Sequence, residues 1–326
     1  MRKLIIDTDV GSDDAVAILM ALCDPSVEVL AITTVSGNVP MKTATANCLQ
    51  TCEIAGVCPP VYEGADRPLM RQPVHAENVH GNDGMGDLGL IHPVTKAVAG
   101  VHAADAILTL VRQYPGEIEL AVIGPATNVA LAILKEPETM RQLKCIWTMG
   151  TGGFGPGNTS PVAEFNVFAD AEAYRIMLSC GVPVYVGGFD LCTYENAWHK
   201  EDMDALLESG HRVARFAVEC NSGLVNYFIT HFGQHIAHIA DAVTMACLLW
   251  DDVHTELVPC TAHVCIEDPA TYGQVIFYSP SGLRIMQGFG ASPNPQDPTD
   301  CYVVAGIHTA RYKERLYRVL TGNYGE

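Results

Sequence analysis

The chain has 326 residues, of which 48% are hydrophobic and 17% are charged, and its formal net charge is −18. This composition predicts a large buried core and excludes an intrinsically disordered chain. The negative charge would repel nucleic-acid backbones and anionic lipid surfaces, so we expect no nucleic acid and no membrane among the partners. No apolar run approaches the roughly 20 residues that a transmembrane helix needs.

Twelve cysteines occur, and none forms a Cys-x-x-Cys pair. Disulfide frameworks are typical of short exported chains. The first residues run directly into a strand-like segment and lack the pattern of a signal peptide. We therefore expect reduced, mostly buried thiols and a cytoplasmic location.

The first half of the chain alternates strand-like and helix-like patterns. In chain order, the sequence predicts strand 4–6, helix 15–22, strand 27–34, helix 41–55, helix 103–112, strand 118–123, a helix from about 128 to 135, strand 144–149, helix 170–178 and strand 182–186. The last third looks less regular, but its β-like runs 262–266 and 274–278 predict a hairpin or a small added sheet.

This alternation is typical of a mostly parallel sheet with helices on both faces. The sequence therefore predicts one α/β domain over residues 1–326, with a small β addition near the C-terminus. Sheets of this kind bind ligands at the carboxyl ends of their strands. Two glycine-rich segments, 78–89 and 150–161, are predicted to be functional loops.

Four aspartates lie within eight residues after the first predicted strand: Asp7, Asp9, Asp13 and Asp14. Carboxylates this close repel one another, and burying them is costly unless a cation or protons offset the charge. The segment is therefore either a solvated loop or a site for a hard cation such as Ca²⁺ or Mg²⁺. Asp13 and Asp14 could instead simply begin a helix, whose dipole favours acidic groups. That alternative does not explain Asp7 and Asp9.

Six segments between residues 7 and 243 resemble the inosine–uridine-preferring nucleoside hydrolases, in family order and at family-like spacing. They are the aspartate-rich segment 7–15, the strand end 33–38, the His-Gly segment 79–86, the Gly-Pro-x-Thr-Asn turn in 123–128, the loop 149–166, and Asp241 with the two residues after it. The resemblance implies a nucleoside-hydrolase-like fold and hydrolysis of the N-glycosidic bond of ribonucleosides. Such reactions build positive charge on the sugar ring, which carboxylates stabilise.

The resemblance also implies roles for individual residues. A Ca²⁺ would be held by Asp9, Asp14, Asp241 and the backbone carbonyl of Ile123, and Asp9 would act as general base toward water. The ribose hydroxyls would be bound by five polar side chains: Asp13 and Asn38 at the 2′ position, Asn158 and Glu164 at the 5′ position, and Asn166 at the 3′ position. Family members assemble as dimers or tetramers, so a homodimer or homotetramer is expected.

One position departs from the family pattern. Many members carry His, thought to protonate the departing base, immediately before the last metal-binding aspartate, and a purine-preferring branch carries Trp. This chain has Ala240 there, so leaving-group activation must come from elsewhere or be weak.

The candidates for activating the leaving group or closing the cavity are His80, Tyr227, His235 and His238. His231, His235 and His238 would share one face if their segment is helical. Without a dedicated acid, the enzyme is expected to favour purine nucleosides or activated substrates such as p-nitrophenyl riboside.

Two alternative functions stay open at this point. A catalytically impaired nucleoside- or sugar-binding protein would explain Ala240, but it would not need a water-activating base such as Asp9. A Mg²⁺-dependent phosphatase of the haloacid-dehalogenase type also begins with a strand followed by Asp-x-Asp. That class needs a later lysine after a strand, whereas Lys144 begins one.

Overall fold

The computed structural model describes residues 1–89, 93, 95–278 and 300–323. Its strands are β1 (Arg2–Thr8), β2 (Val27–Thr34), β3 (Val61–Glu63), β4 (Ile118–Val122), β5 (Cys145–Met149), β6 (Val184–Gly187), β7 (Trp198–His199), β8 (Ile236–Ala237), β9 (His254–Val264), β10 (Val275–Tyr278) and β11 (Cys301–Ile307). Its helices are α1 (Ser12–Cys23), α2 (Met41–Ala55), α3 (Glu77–His80), α4 (Ala103–Gln113), α5 (Thr127–Lys135), α6 (Pro137–Met140), α7 (Phe165–Ala169), α8 (Ala171–Leu178), α9 (Lys200–Glu208), α10 (Arg212–Glu219), α11 (Ser222–Phe232), α12 (Ala240–Leu249) and α13 (Thr309–Thr321).

Within the described residues, one sheet has the strand order β10-β9-β11-β6-β5-β4-β1-β2-β3. The strands from β11 to β3 run parallel to their neighbours, and β9 and β10 add antiparallel strands at one edge. The predicted mostly parallel α/β fold is confirmed. The predicted hairpin is also confirmed, since β9 pairs with β10 and Val264 lies opposite Val275.

Alternate residues of each central strand face opposite helical layers because the side-chain period of a strand is two. In β1, Leu4 and Ile6 pack in one hydrophobic cluster with side chains of α1 and α12. Ile5 packs in the other cluster, with side chains of α4, α5 and α8. Because both faces of these strands are buried, their sequences are continuous apolar runs and do not alternate between apolar and polar residues.

The last third, predicted to be less regular, contains helices in its described residues as well as the added strands. Helices α11, α12 and α13 lie there, and α9 and α10 come just before it. Four of these five helices have 11 residues or fewer. Helices this short depend mainly on tertiary packing, so their own sequence pattern is weak. No helix in the described part of the chain is long and apolar enough to cross a membrane.

The parallel order brings the carboxyl ends of β1, β2, β4 and β5 to one edge of the sheet. Helix α1 follows β1 directly and packs beside α12, so the first turns of these two helices meet at this edge. The site is built there.

Candidate active site

Three buried carboxylates meet where α1 and α12 begin. Asp13 and Asp14 lie in the first turn of α1, and Asp241 lies in the first turn of α12. In the described part of the chain, each offers an oxygen, and these oxygens all lie within 4.8 Å of one another. Burial, followed by the charge of Asp13, raises the pKa of Asp14 to about 7 and holds the pKa of Asp241 well above its usual range. Two helix N-termini offset only part of this repulsion.

Asp9 stands next to this group, and Asn38 bridges the two. The backbone N–H of Asn38 donates to Asp9 Oδ2 at 2.6 Å, and its side-chain amide donates to Asp14 Oδ2 at 3.0 Å. Burial, followed by the charge of Asp14, raises the pKa of Asp9. Its Oδ1 atom is buried without a hydrogen-bond partner among the described residues. A buried, unpaired carboxylate oxygen beside other carboxylates fits a hard cation, which takes oxygen ligands.

Asp7 has a different, structural position. Its Oδ1 accepts hydrogen bonds from Thr33 at 2.5 Å and from the Asn128 amide at 2.8 Å. Asn128 also donates to the carbonyl of Thr34 and accepts from the backbone of Ala65. These bonds tie the ends of β1 and β2 to the start of α5 and hold the edge in shape.

The polar side chains of the long loop reach the same edge through α7. Glu164 caps this helix, accepting from the backbone N–H groups of Asn166 and Val167, and burial raises the pKa of Glu164 to about 7. The Asn166 amide donates to the carbonyl of Ile123 at 3.2 Å. Asn158 is exposed, and its side chain accepts from the backbone of Phe165.

A cavity of about 320 Å³ opens above the carboxylates. One part of its lining is polar: Asp13, Asn38, Asn158, Glu164, Asn166 and Asp241. Another part is apolar and aromatic, including Phe189, Leu224, Tyr227, Phe228 and Phe232. Such a lining suits a ligand with a hydroxyl-rich half and a planar ring.

His80 also lines the cavity. It ends α3 and is buried, with Nδ1 2.9 Å from Ser12 Oγ and 3.9 Å from Asp13 Oδ1. Burial lowers the pKa of His80, although Asp13 acts in the opposite direction. The imidazole is therefore predominantly neutral at pH 7.

The structure separates the three histidines that follow. Helix α11 ends at Phe232, and Gly233 adopts the left-handed conformation with φ of 67°, so His231, His235 and His238 do not share a helix face. His238 lines the cavity, whereas His235 is exposed and is not part of its lining.

His238 packs between two aromatic rings of the cavity wall. Its ring centroid lies 5.6 Å from that of Phe189 and 4.4 Å from that of Phe228. Burial lowers the pKa of His238 to about 4. Ala240 lies close by in the lining and offers only a methyl group.

Phe189, Leu224 and Ser12 are among the residues of the site that the sequence interpretation did not identify. Phe189 follows the carboxyl end of β6, so the rule that ligands bind at strand ends could have found it. Ser12 gave no signal, because its partner His80 is 68 residues away in the chain.

The family model and the known proteins that are similar to this chain are all named for nucleoside hydrolysis. The family model described as inosine-uridine preferring nucleoside hydrolase matches residues 4–314. A probable uridine nucleosidase 1 from Oryza sativa subsp. japonica is 38% identical over 255 residues, covering 78% of this chain and 78% of that protein. The pyrimidine-specific ribonucleoside hydrolase RihB of Escherichia coli is 40% identical over 190 residues, 58% of this chain and 60% of that protein.

Solved structures agree in fold. The plant nucleoside hydrolase PpNRh1 superposes with a TM-score of 0.90 at 27% identity, covering 98% of this chain and 99% of that one. An inosine-guanosine nucleoside hydrolase gives a TM-score of 0.83 at 25% identity, with 98% and 99% covered. Since the family model extends from β1 into α13, the chain belongs to the inosine–uridine preferring nucleoside hydrolase family and is a nucleoside hydrolase.

Proposed function

We propose that this chain hydrolyses ribonucleosides to base and ribose with a bound Ca²⁺. The observation that carries the proposal is the meeting of the α1 and α12 carboxylates beneath a cavity that is polar on one side and aromatic on the other. Asp9, Asp14, Asp241 and the Ile123 carbonyl would hold the ion. When bound, the ion supplies positive charge that offsets the carboxylates and lowers the pKa of a nearby water.

The chain's own residues account for the other parts of the reaction. Asp9 would accept a proton from the attacking water, a role that suits a carboxylate with a raised pKa. The carboxylates beneath the cavity would stabilise the positive charge that develops on the ribose. Asp13 and Asn38 would bind the 2′-hydroxyl, and Asn158, Glu164 and Asn166 the 5′- and 3′-hydroxyls.

The leaving-group end differs from the usual family arrangement, because Ala240 cannot donate a proton. His80, Tyr227 and His238 face the cavity. With a pKa of about 4, His238 is neutral at pH 7 and would donate from a ring N–H instead of acting as an imidazolium acid. We therefore expect purine nucleosides and p-nitrophenyl riboside to be good substrates. Relatives named for uridine and pyrimidine ribonucleosides make uridine the necessary comparison.

The test is ribose release from inosine, uridine and 2′-deoxyinosine, in chelator and after Ca²⁺ is restored. We expect Ca²⁺-dependent release, little from the deoxynucleoside, and a loss on the order of 10³-fold in Asp9→Asn. Nucleoside binding in a calorimeter without ribose release over hours would favour the binding-protein alternative. Phosphate release from phosphomonoesters with no ribose release would favour the phosphatase.

We also propose that the protein forms a homodimer or homotetramer, as the resemblance to the family implies. Light scattering on the purified protein decides the subunit number, and a monomeric mass would refute the proposal.

A further inference from the structure

Ser12 and His80 form a buried contact that the reaction proposed above does not use. Ser12 begins α1 and is fully buried, and His80 lines the cavity. Ser12 Oγ lies 2.9 Å from His80 Nδ1, and the described residues offer this hydroxyl no other hydrogen bond. The Asp13 carboxylate is 3.9 Å from the same nitrogen, beyond hydrogen-bond range.

This contact determines which ring nitrogen carries the proton. A neutral imidazole has one nitrogen that donates and one that accepts, and a hydroxyl has one proton to donate. With no other acceptor in reach, the O–H of Ser12 donates to Nδ1, and the ring proton lies on Nε2. Because Nδ1 is held against the buried start of α1, the Nε2 edge is the one left to face the cavity.

We propose that Ser12 is a positioning residue that holds His80 as the Nε2–H tautomer, so that this nitrogen donates a hydrogen bond to the departing base. This inference rests on the proposed nucleoside hydrolysis and adds to it a means of assisting the leaving group.

The place of His80 in the cavity fits this role. Its Nδ1 lies 3.9 Å from Asp13, a predicted ribose partner, and its backbone carbonyl lies close to Gly223 of α11, the helix that carries Tyr227 and Phe228 of the cavity wall. The boundary between sugar and base would therefore lie at His80. Pyrimidines carry O2, and purines carry N3, as an acceptor beside the glycosidic nitrogen. A donor there stabilises the negative charge that the base gains as the bond breaks, and it needs no protonated imidazole.

The experiment compares two leaving groups in the Ca²⁺-loaded enzyme. Ser12→Ala frees Nδ1, and kcat and KM are measured for inosine and for p-nitrophenyl riboside. The nitrophenolate is already stable and has no ring acceptor beside the scissile bond. We expect the ratio of kcat for inosine to kcat for p-nitrophenyl riboside to fall about tenfold, within the range of one hydrogen bond. KM for inosine should change little.

Two further variants separate positioning from general structure. Ser12→Cys keeps a similar volume with a weak S–H donor, so the ratio should fall less than in Ser12→Ala. His80→Gln brings an amide donor that needs no tautomer, so adding Ser12→Ala to it should cause no further fall in the ratio.

An unchanged ratio in Ser12→Ala would overturn the inference, as would an equal fall for both substrates or a further fall in the His80→Gln background. If the unaltered enzyme releases ribose from neither substrate, the proposed function fails and this inference fails with it.

Discussion

At the level of single residues, the acidic cluster favours the proposed cation binding but destabilises the metal-free fold. Asp9, Asp14 and Asp241 are buried together, and burial, with repulsion from neighbouring carboxylates including Asp13, raises the pKa of each. Without a cation, the folded protein must either keep protons on these groups or tolerate their repulsion. Removing one charge should therefore stabilise the metal-free fold while it destroys the proposed cation site.

Asp241→Asn tests this conflict. The asparagine keeps the shape and can donate to Asp14, but it removes one charge from the cluster. We expect ribose release to fall on the order of 10³-fold. We also expect the free energy of unfolding in chelator to rise by about 1 kcal/mol. Urea unfolding and a ribose assay measure the two effects. The exposed Asp66→Asn is the matched control, and a less stable metal-free Asp241→Asn protein would contradict the argument.

The sequence alone identified the acidic residues of the site, but it could not show which histidine lines the cavity. Asp9 and Asp14 form a dense local pattern at the end of a strand, and that pattern is visible without a fold. His235 and His238 are three residues apart and look equivalent in the sequence. Only the end of α11 at Gly233 and the packing of His238 between Phe189 and Phe228 distinguish them.

At the level of elements, the turn after β2 must approach the end of β1 very closely. A side chain on Gly37 would collide with the Asp9 carboxylate and with the Pro125 ring. The same turn supplies the Asn38 backbone N–H that holds Asp9. Because residue 37 has no side chain, the Asp9 carboxylate after β1 can accept a hydrogen bond from the turn after β2.

Gly37→Ala should displace the Asp9 carboxylate and leave the sheet intact. We expect Ca²⁺ affinity to fall by about 10- to 100-fold, the usual range for a residue that supports a metal ligand. Calorimetric titration of Ca²⁺ measures the change. Gly306→Ala in β11 is the control, since among the described residues its added carbon would meet Thr255 Oγ1 alone, at 3.0 Å. Equal Ca²⁺ affinity in the wild type and Gly37→Ala would refute this account.

Helix α11 supplies much of the aromatic wall. Phe228 contacts His238 and Phe232, with ring centroids 4.4 and 5.5 Å apart. In Phe228→Ala, KM for inosine should rise several-fold, because an aromatic contact contributes about 0.5–1.5 kcal/mol beyond its buried area. Steady-state kinetics measure the rise. Ile229→Ala on the same helix is the control, since Ile229 is 41% exposed and does not line the cavity. Equal effects of the two variants would contradict base stacking.

Elements differed in how well the sequence predicted them, for a physical reason. β2 and α2 have the predicted bounds, because β2 is an apolar-rich strand and α2 lies between Pro40 and Gly56, residues that mark helix ends. α12 is buried on all sides, so it shows no amphipathic stripe. Its position beside α1, which completes the acidic cluster, is a tertiary fact that no local window contains.

For the molecule as a whole, we expect folding, proton binding and the proposed Ca²⁺ binding to be linked. Burial raises the pKa of Asp7, Asp14 and Glu164 to about 7 in the folded protein, whereas unfolded carboxyls titrate near 4. Between about pH 4 and pH 7, the folded form therefore binds more protons than the unfolded form. The stability that these groups contribute is present below about pH 4 and is lost as the pH rises through 7.

Calcium should reverse this trend at the acidic cluster, because the ion needs ionised carboxylates. The rise in Tm that Ca²⁺ causes should be larger at pH 7 than at pH 5, because fewer protons compete with the ion for the carboxylates at pH 7. Thermal unfolding at both pH values, with Ca²⁺ and with chelator, measures it. Asp241→Asn should reduce the Ca²⁺ shift at pH 7, since one ligand charge is missing. A Ca²⁺ shift that is equal at the two pH values, or larger at pH 5, would mean that the ion does not bind the buried carboxylates at the start of α1 and α12.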